Sequence, residues 1–376
     1  MKAVTFGGAM LDAIAIIEDD RVERMTMRNA DSAYLLIEEG KKTEAEAISN
    51  HCGGGAVNAA VAMARLGADV STVVKVGQDA RADTIMVRLQ DEGVSTRWVM
   101  RDARAATGAS VLISSHAKDA AIFTFRGANT LLEKADLQSD MCAADLVYIA
   151  GLSNRSAQCF ADIIEMAKAE NALVATNPGI RQLSGSFEAF ANVLANIDIL
   201  SLNAREAAAM VPALASRFGE GGPELPVPEG LPAVDLLTRG LSANDYDMTL
   251  AGFVIAVTAA GAGHVVLTAG GVGAFAGTAQ ELIFCPALPV EVAGTAGAGD
   301  AFAATFACQI AQGVDAARAL QAATCNAASV VAHADTQTGL LRADGLREAL
   351  ETRAEELPIT RWDLPQAAGI TSHAPT

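Results

Sequence analysis

Short runs of aliphatic and β-branched residues recur along this chain, separated by longer alanine-rich stretches, and nothing else in it narrows the fold so far. The apolar runs are Ala3–Phe6, Val70–Val76, Asp145–Ile149, Leu173–Thr176, Ile197–Ser201 and His264–Thr268. Such continuous runs suit strands covered by helices on both faces, as in parallel sheets. Helical spacing fills the intervals at Val57–Leu66, Ala80–Glu92, Ser156–Glu170, Ala204–Met210 and Met248–Ala260. Three more helices are expected at Asp300–Gln312, Asp315–Ala334 and Asp344–Glu355. Strands alternating with helices predict βαβ units. The expected fold class is therefore α/β, a three-layer α/β/α sandwich with a mainly parallel central sheet.

Two regions break that rhythm. Residues 13–50 and 106–126 alternate polar with apolar, as in Ala109-Ser110-Val111-Leu112-Ile113 and Ala121-Ile122-Phe123-Thr124-Phe125. Alternation of period two suits antiparallel strands with one wet face, so the two segments are expected to meet as a small sheet beside the core. Residues 219–232 (GEGGPELPVPEGLP) read as a flexible surface insertion, and residues 366–376 as a tail. One domain over 1–365, enlarged by these additions, accounts for the 376 residues.

Charge limits the partners. With 27 Lys plus Arg against 44 Asp plus Glu, the formal charge is −17. Nucleic acid and anionic membranes are not expected as partners, since both attract basic stripes. The six cysteines form no C-x-x-C pair, the chain opens on a strand rather than a signal peptide, and no apolar run is long enough to span a bilayer. A cytoplasmic protein with buried free thiols is expected. The five histidines have no metal-ligand spacing.

The strongest local motif is Gly294-Thr295-Ala296-Gly297-Ala298-Gly299-Asp300-Ala301-Phe302. A glycine-rich turn opening a helix leaves backbone N–H groups free to bind an anion. Asp300 beside them could take a proton from a hydroxyl attacking phosphorus, or simply cap the helix. Cys52-Gly53-Gly54-Gly55-Ala56-Val57-Asn58 opens a second helix, with glycines that admit a ligand to the backbone and an amide in Asn58. Asp12 follows the first strand, at the strand end where open α/β sheets bind ligands. There is no G-x-x-x-x-G-K-[ST] sequence, and Gly271-Val272-Gly273-Ala274-Phe275-Ala276 lacks the following helix that a dinucleotide fingerprint needs.

In order, these motifs resemble the ribokinase-like (PfkB) family of carbohydrate and nucleoside kinases, over about residues 3–350. The resemblance is carried by GGGAVNAAVAMARLGADV (53–70), FRGAN (125–129), NPGIR (177–181), SLNAREA (201–207), VVLTAGGVGAFA (265–276) and GTAGAGDAF (294–302). It implies that Asp300 is the general base and that Gly297, Ala298 and Gly299 form the anion hole. By the same resemblance Asp12, Gly53, Gly54 and Asn58 would hold the acceptor hydroxyls. Asn203, Glu206, Thr268 and Gly270 would serve the nucleotide phosphates, Glu206 with Mg²⁺ through water, and Asn326 would lie near the adenine pocket. The small sheet would be a lid, which in some members also makes a homodimer interface. Gly294 stands where many members carry an aspartate next to a monovalent-cation site, so K⁺ activation is not expected.

The function so implied is an ATP- and Mg²⁺-dependent phosphotransferase acting on a hydroxyl of a sugar or sugar-like molecule. A nucleoside kinase is the alternative, in which Phe123, Phe125, Tyr34 and Leu35–Ile37 would stack on a base. A non-catalytic ligand-binding protein of the same fold is the third reading, and the retained Asp300, Asn203 and Glu206 speak against it.

Overall fold

A computed structural model describes residues 1–26, 33–40, 42–115, 120–185, 190–229, 231 and 234–365. The expected tail, 366–376, lies outside these residues.

The described strands, in chain order, begin with β1 (Lys2–Phe6), β2 (Met10–Ile17), β3 (Glu23–Thr26), β4 (Ala33–Leu36), β5 (Ala47–Gly53) and β6 (Asp69–Val76). Then come β7 (Val99–Arg101), β8 (Gly108–Ser115), β9 (Ala120–Phe125), β10 (Leu146–Ala150), β11 (Leu173–Asn177) and β12 (Ile199–Asn203). The series ends with β13 (Leu241–Ala243), β14 (Tyr246–Met248), β15 (His264–Thr268), β16 (Gly273–Gly277), β17 (Glu281–Pro286) and β18 (Thr360–Asp363). The larger helices are α1 (Gly55–Arg65), α2 (Ala80–Asp91), α3 (Phe160–Ala169), α4 (Ala204–Phe218), α5 (Leu250–Ala259), α6 (Ala298–Ala311), α7 (Ala316–Val331) and α8 (Ala343–Thr352).

Ten strands form the central sheet in the order β18-β17-β16-β15-β12-β11-β10-β1-β6-β7. From β15 to β7 the pairs are parallel, while β16, β17 and β18 join antiparallel at the other edge. Alternation along β10 shows why the strands read as unbroken apolar runs. Leu146, Tyr148 and Ala150 enter one core cluster with α1, α2, α6 and α7. Val147 and Ile149 enter the other, with α3, α4 and α5. Both faces are thus dry, and the α/β/α sandwich expected from the pattern is the fold observed.

A second sheet, β5-β2-β8-β9, stands on the carboxyl side of β1. Its strands come from the two alternating regions, though the expectation of antiparallel pairing holds only for β2–β5 and β8–β9; β2 and β8 run parallel. The pleat sorts its side chains. Register places Asp12, Ser110, Thr124 and His51 side by side on one face. Phe123, paired with Val111, and Phe125, paired with Ala109, belong to the opposite face, as successive residues of a strand must. That face also carries Ile48 and is largely exposed.

Three local readings need correction. The helix expected from Met248 begins at Leu250, because Thr249 caps it and accepts a hydrogen bond from the Gly252 amide at 3.0 Å. The helix expected to stop at Met210 continues through Pro212 to Phe218. Within 219–232, read as flexible, several points are tied down. Thr249 Oγ1 donates to the Pro223 carbonyl at 3.0 Å and Trp362 Nε1 to the Pro226 carbonyl at 2.8 Å. Gly221 pairs with the backbone of Asp247 and Thr249. Among the described residues no helix is long and apolar enough to cross a membrane.

Candidate active site

The sheet delivers its polar residues to one edge. Asp12 lies two residues into β2, Gly53 ends β5, Asn203 ends β12, and Thr268 ends β15 beside Asn203 in register. α6 brings Asp300 to the same edge.

The start of α6 is built around Gly297, the N-cap, whose φ of 80° is left-handed. A Cβ there would also lie 2.6 Å from Thr336 Cβ. Glycine therefore answers both a backbone and a packing demand. The turn directs the first amides of the helix, at Ala298, Gly299 and Asp300, outward with no intrahelical partner. Open space faces Gly299.

Asp300 occupies the third helical position and so is not the cap. Its Oδ2 accepts from Asn58 Nδ2 at 2.8 Å. Burial pushes its pKa above the ordinary carboxylate value, and the charge of Asp12 raises it further, while the Asn58 hydrogen bond opposes both. Asp12 is also raised by burial and is held by the Ser110 hydroxyl. Asp12 and Asp300 are thus two buried carboxylates whose charges oppose each other's ionisation.

Asn58 has a different position from the one the motif implied. The side chain is buried, with Nδ2 on Asp300 and Oδ1 accepting from Thr336 Oγ1 at 3.0 Å and Gln337 Nε2 at 3.1 Å. Its amide is engaged by Asp300, Thr336 and Gln337 instead of standing free for an acceptor hydroxyl. Gly54 caps α1, and Gly53 is packed so closely that a Cβ would sit 2.0 Å from Asp12 Oδ2.

On the other side, Asn203 and Glu206 form a reciprocal cap at the start of α4. Asn203 Oδ1 accepts from the Glu206 amide at 2.8 Å and Glu206 Oε2 from the Asn203 amide at 3.0 Å. Burial raises the Glu206 pKa, and the charge of Asp300 adds to it, which couples this pair to Asp300. Gly270 follows Thr268 in a tight turn with open space before it. Asn326 is not part of this assembly. It is fully buried, donating to Thr305 Oγ1 at 2.7 Å and accepting from the Leu341 amide at 2.8 Å. It locks α7 to α6 and leaves no surface for an adenine.

The sequence assigns no role to several further contributors, of which Arg126, Asn129 and Arg181 lie within the FRGAN and NPGIR motifs. Tyr148, buried on β10, has a hydroxyl with no hydrogen-bond partner among the described residues, and its pKa is driven up by burial and by the charges of Asp300 and Glu206. Asn129 clamps the turn after β1 by exchanging two 2.9 Å hydrogen bonds with Ala9. Arg126 Nη1 donates to Ser153 Oγ at 2.6 Å. Burial lowers its pKa and neighbouring Arg181 lowers it further. Among the described residues no carboxylate forms an ion pair with either arginine. Two cations therefore stand together at the ends of β10 and β11 in a chain of charge −17.

No three His, Cys, Asp or Glu side chains among the described residues cluster tightly enough to hold a metal alone. The oxygen donors Glu206 and Asn203, with the orphaned Tyr148 hydroxyl beneath, fit a hard divalent ion that keeps most of its water and binds chiefly through phosphate.

Comparison with known proteins agrees with this geometry. The sequence pattern of the pfkB family carbohydrate kinases matches residues 23–219 and 243–343. A deoxyribokinase of Salmonella typhimurium is 27% identical over 331 residues, covering 86% of this chain and 94% of its own. Ribokinase of Arabidopsis thaliana, solved with ribose and ATP, superposes with a TM-score of 0.68 at 19% identity, covering 93% and 98% of the two chains. The nucleoside kinase of Methanocaldococcus jannaschii gives 0.67 at 19% identity, covering 94% and 99%. At that identity the two structures establish a common fold.

Proposed function

The chain belongs to the pfkB family of carbohydrate kinases, and from that premise we propose that it transfers the γ-phosphoryl group of ATP to a hydroxyl of a sugar or sugar-like acceptor. The observation that carries this reading is the buried Asp300 carboxylate, held by Asn58 in the first turn of α6 and within reach of the charge of Asp12. In this scheme the acceptor lies between Asp12 and Asp300, with Asp12 accepting from its hydroxyls beside the Gly53 backbone. Asp300 Oδ2 is engaged by Asn58, so Oδ1 takes the proton of the attacking hydroxyl as the P–O bond forms. The α6 amides meet charge developing on the transferred group without reorganising. Thr268, Gly270 and Asn203 lie where the nucleotide phosphates would run. Mg²⁺, held by Glu206 through water, would supply positive charge to those phosphates. Arg126 and Arg181 supply the local cations that the acidic chain otherwise lacks.

A sugar is favoured over a nucleoside by the register of the small sheet. Phe123 and Phe125, two of the three aromatic candidates for stacking on a base, lie on the face away from Asp12. The small sheet is read as a lid that excludes water from the transfer. Its outward apolar face, with Ile48, Val111, Phe123 and Phe125, suits a second copy of the chain.

The test is release of ADP measured across pentoses, deoxypentoses, hexoses, sugar acids and nucleosides. Turnover with at least one sugar and weaker turnover with nucleosides is expected. Turnover with nucleosides alone would overturn the choice of acceptor, and turnover with none would overturn the activity.

A further inference from the structure

The loop after α7, Asp335-Thr336-Gln337-Thr338, carries none of the family motifs, yet it touches β5, α1, α2 and the turn before α6. Thr336 packs on Gly297 and donates to Asn58 Oδ1. Asp335 lies 3.8 Å from His51 on β5. Gln337, 2% exposed, lies between α2 and α1.

We propose that Gln337 is a positioning residue that fixes which way the Asn58 amide faces and, through it, where the Asp300 carboxylate points. The proposal rests on the kinase reading above. Amide groups are symmetric in shape, so an isolated asparagine beside a carboxylate could present either oxygen or nitrogen. Here the choice is forced from both ends. Arg88 has only donors, and its Nε reaches Gln337 Oε1 at 3.0 Å. Gln337 must therefore turn Nε2 toward Asn58, where it donates to Oδ1 at 3.1 Å. Asn58 must in turn present Nδ2, which donates to Asp300 Oδ2 at 2.8 Å. An ionised carboxylate only accepts, so the chain ends as consistently as it begins. Arg88 is itself held by Glu92 at 2.9 Å, and Arg65 Nη1 anchors the loop through the Gln337 and Leu340 carbonyls at 2.8 and 2.7 Å. The row of donors thus runs from α2 through the loop and α1 to the first turn of α6, with one direction throughout.

Gln337→Glu tests this directly. The new carboxylate still accepts from Arg88 but opposes Asn58 Oδ1, which favours the flipped amide and turns an oxygen toward Asp300. Gln337→Met removes the donor without adding an acceptor, and Thr336 still steadies Asn58. In the full-length protein, kcat should fall about 10- to 100-fold for Glu and less for Met, with the KM for ATP within about twofold of wild type. The acid limb of the kcat/KM profile should move to higher pH in the same order, because Asp300 loses a hydrogen bond that lowers its pKa. The other titratable groups facing Asp300, namely Asp12, Glu206 and Tyr148, are unaltered. Wild-type kcat and acid limb in a folded Gln337→Glu protein would overturn the proposal. So would equal losses in both variants with an unmoved limb, the signature of packing alone. If Gln337→Glu does not fold, Arg88→Met frees the Gln337 amide to turn, and its acid limb must shift the same way or the proposal fails. Asp300→Asn run alongside separates the two readings. If Asp300→Asn is inactive while Gln337→Glu matches wild type, only the positioning role falls. If Asp300→Asn retains wild-type turnover, the base assignment falls first.

Discussion

Replacing Asp300 by asparagine should separate turnover from stability in opposite directions. The variant keeps an oxygen that can accept from Asn58 Nδ2, so the 2.8 Å contact and the first turn of α6 survive. What it loses is the proton acceptor. General bases contribute about 10²–10⁴ in rate, which corresponds to about 2.7–5.4 kcal/mol of barrier at 1.36 kcal/mol per tenfold. The KM for ATP should change little, since in the proposed scheme the nucleotide side is built from Asn203, Thr268 and Gly270. Stability should rise at neutral pH. The folded pKa of Asp300 lies above its unfolded value, because burial and the Asp12 charge outweigh the hydrogen bond. Such a group favours the native state below its unfolded pKa, and that advantage is lost as pH rises through the folded value. At neutral pH the buried charge is a burden, and asparagine removes it. The same raised pKa places the acid limb of wild-type kcat/KM above the ordinary carboxylate range, with activity lost as pH falls through it. ADP release across pH, paired with thermal melts of both proteins, reads all three effects. A variant within about threefold of wild-type kcat, or one that melts lower at neutral pH, would refute the reasoning.

Other consequences are as direct. Tyr148→Phe removes a buried hydroxyl with no partner among the described residues, whose desolvation costs about 1–3 kcal/mol; the apo variant should melt no lower than wild type, and a clear loss of stability would show that the hydroxyl is satisfied. Gly53→Ala would put a Cβ 2.0 Å from Asp12 Oδ2, displacing that carboxylate; the acceptor KM should rise about 10- to 100-fold, the scale of a charged hydrogen bond, with the KM for ATP steady, and an unchanged acceptor KM would count against Asp12. Gly294 offers no carboxylate beside the His333 and Ala334 carbonyls, which a Cβ there would meet at 3.1 and 3.2 Å; rates in K⁺ and in a bulky organic cation should agree within about twofold, and strong K⁺ activation would refute this.

What the sequence revealed divides along contact range. β10 and β11 were readable because burial on both faces writes itself into consecutive residues, five in β10 and three in β11. The turn at Gly297 was readable because a left-handed N-cap demands glycine. Thr336 and Gln337 were not, for their bonds to Asn58 span 278 and 279 residues and leave no local pattern. Ser110, which holds Asp12, is 98 residues away from it. Asn58 and Asn326 show a subtler failure. A motif gives the presence of an amide but not what its two ends touch, and in both cases protein groups had taken them. The aromatic residues of β9 were plausible stacking partners until register with β8 and β2 fixed their face, because a shift of one residue reverses every side chain.

The small sheet also has a mechanical property. It is rooted where it meets the core, since three residues link β1 to β2 and Gly54 alone links β5 to α1. Asp12 sits two residues beyond Met10, about 7 Å along β2, whereas Ile17 lies about 24 Å out at roughly 3.4 Å per residue. A swing about that root is therefore geared down about three- to fourfold at Asp12. A movement of about 3 Å at the tip becomes just under about 1 Å at the carboxylate, the scale on which misplacement changes rates about a hundredfold. In the proposed kinase, coarse motion at the far edge would thus become fine adjustment at the acceptor, and residues near Ile17 and Ala47 would tune the fit of a sugar they never touch.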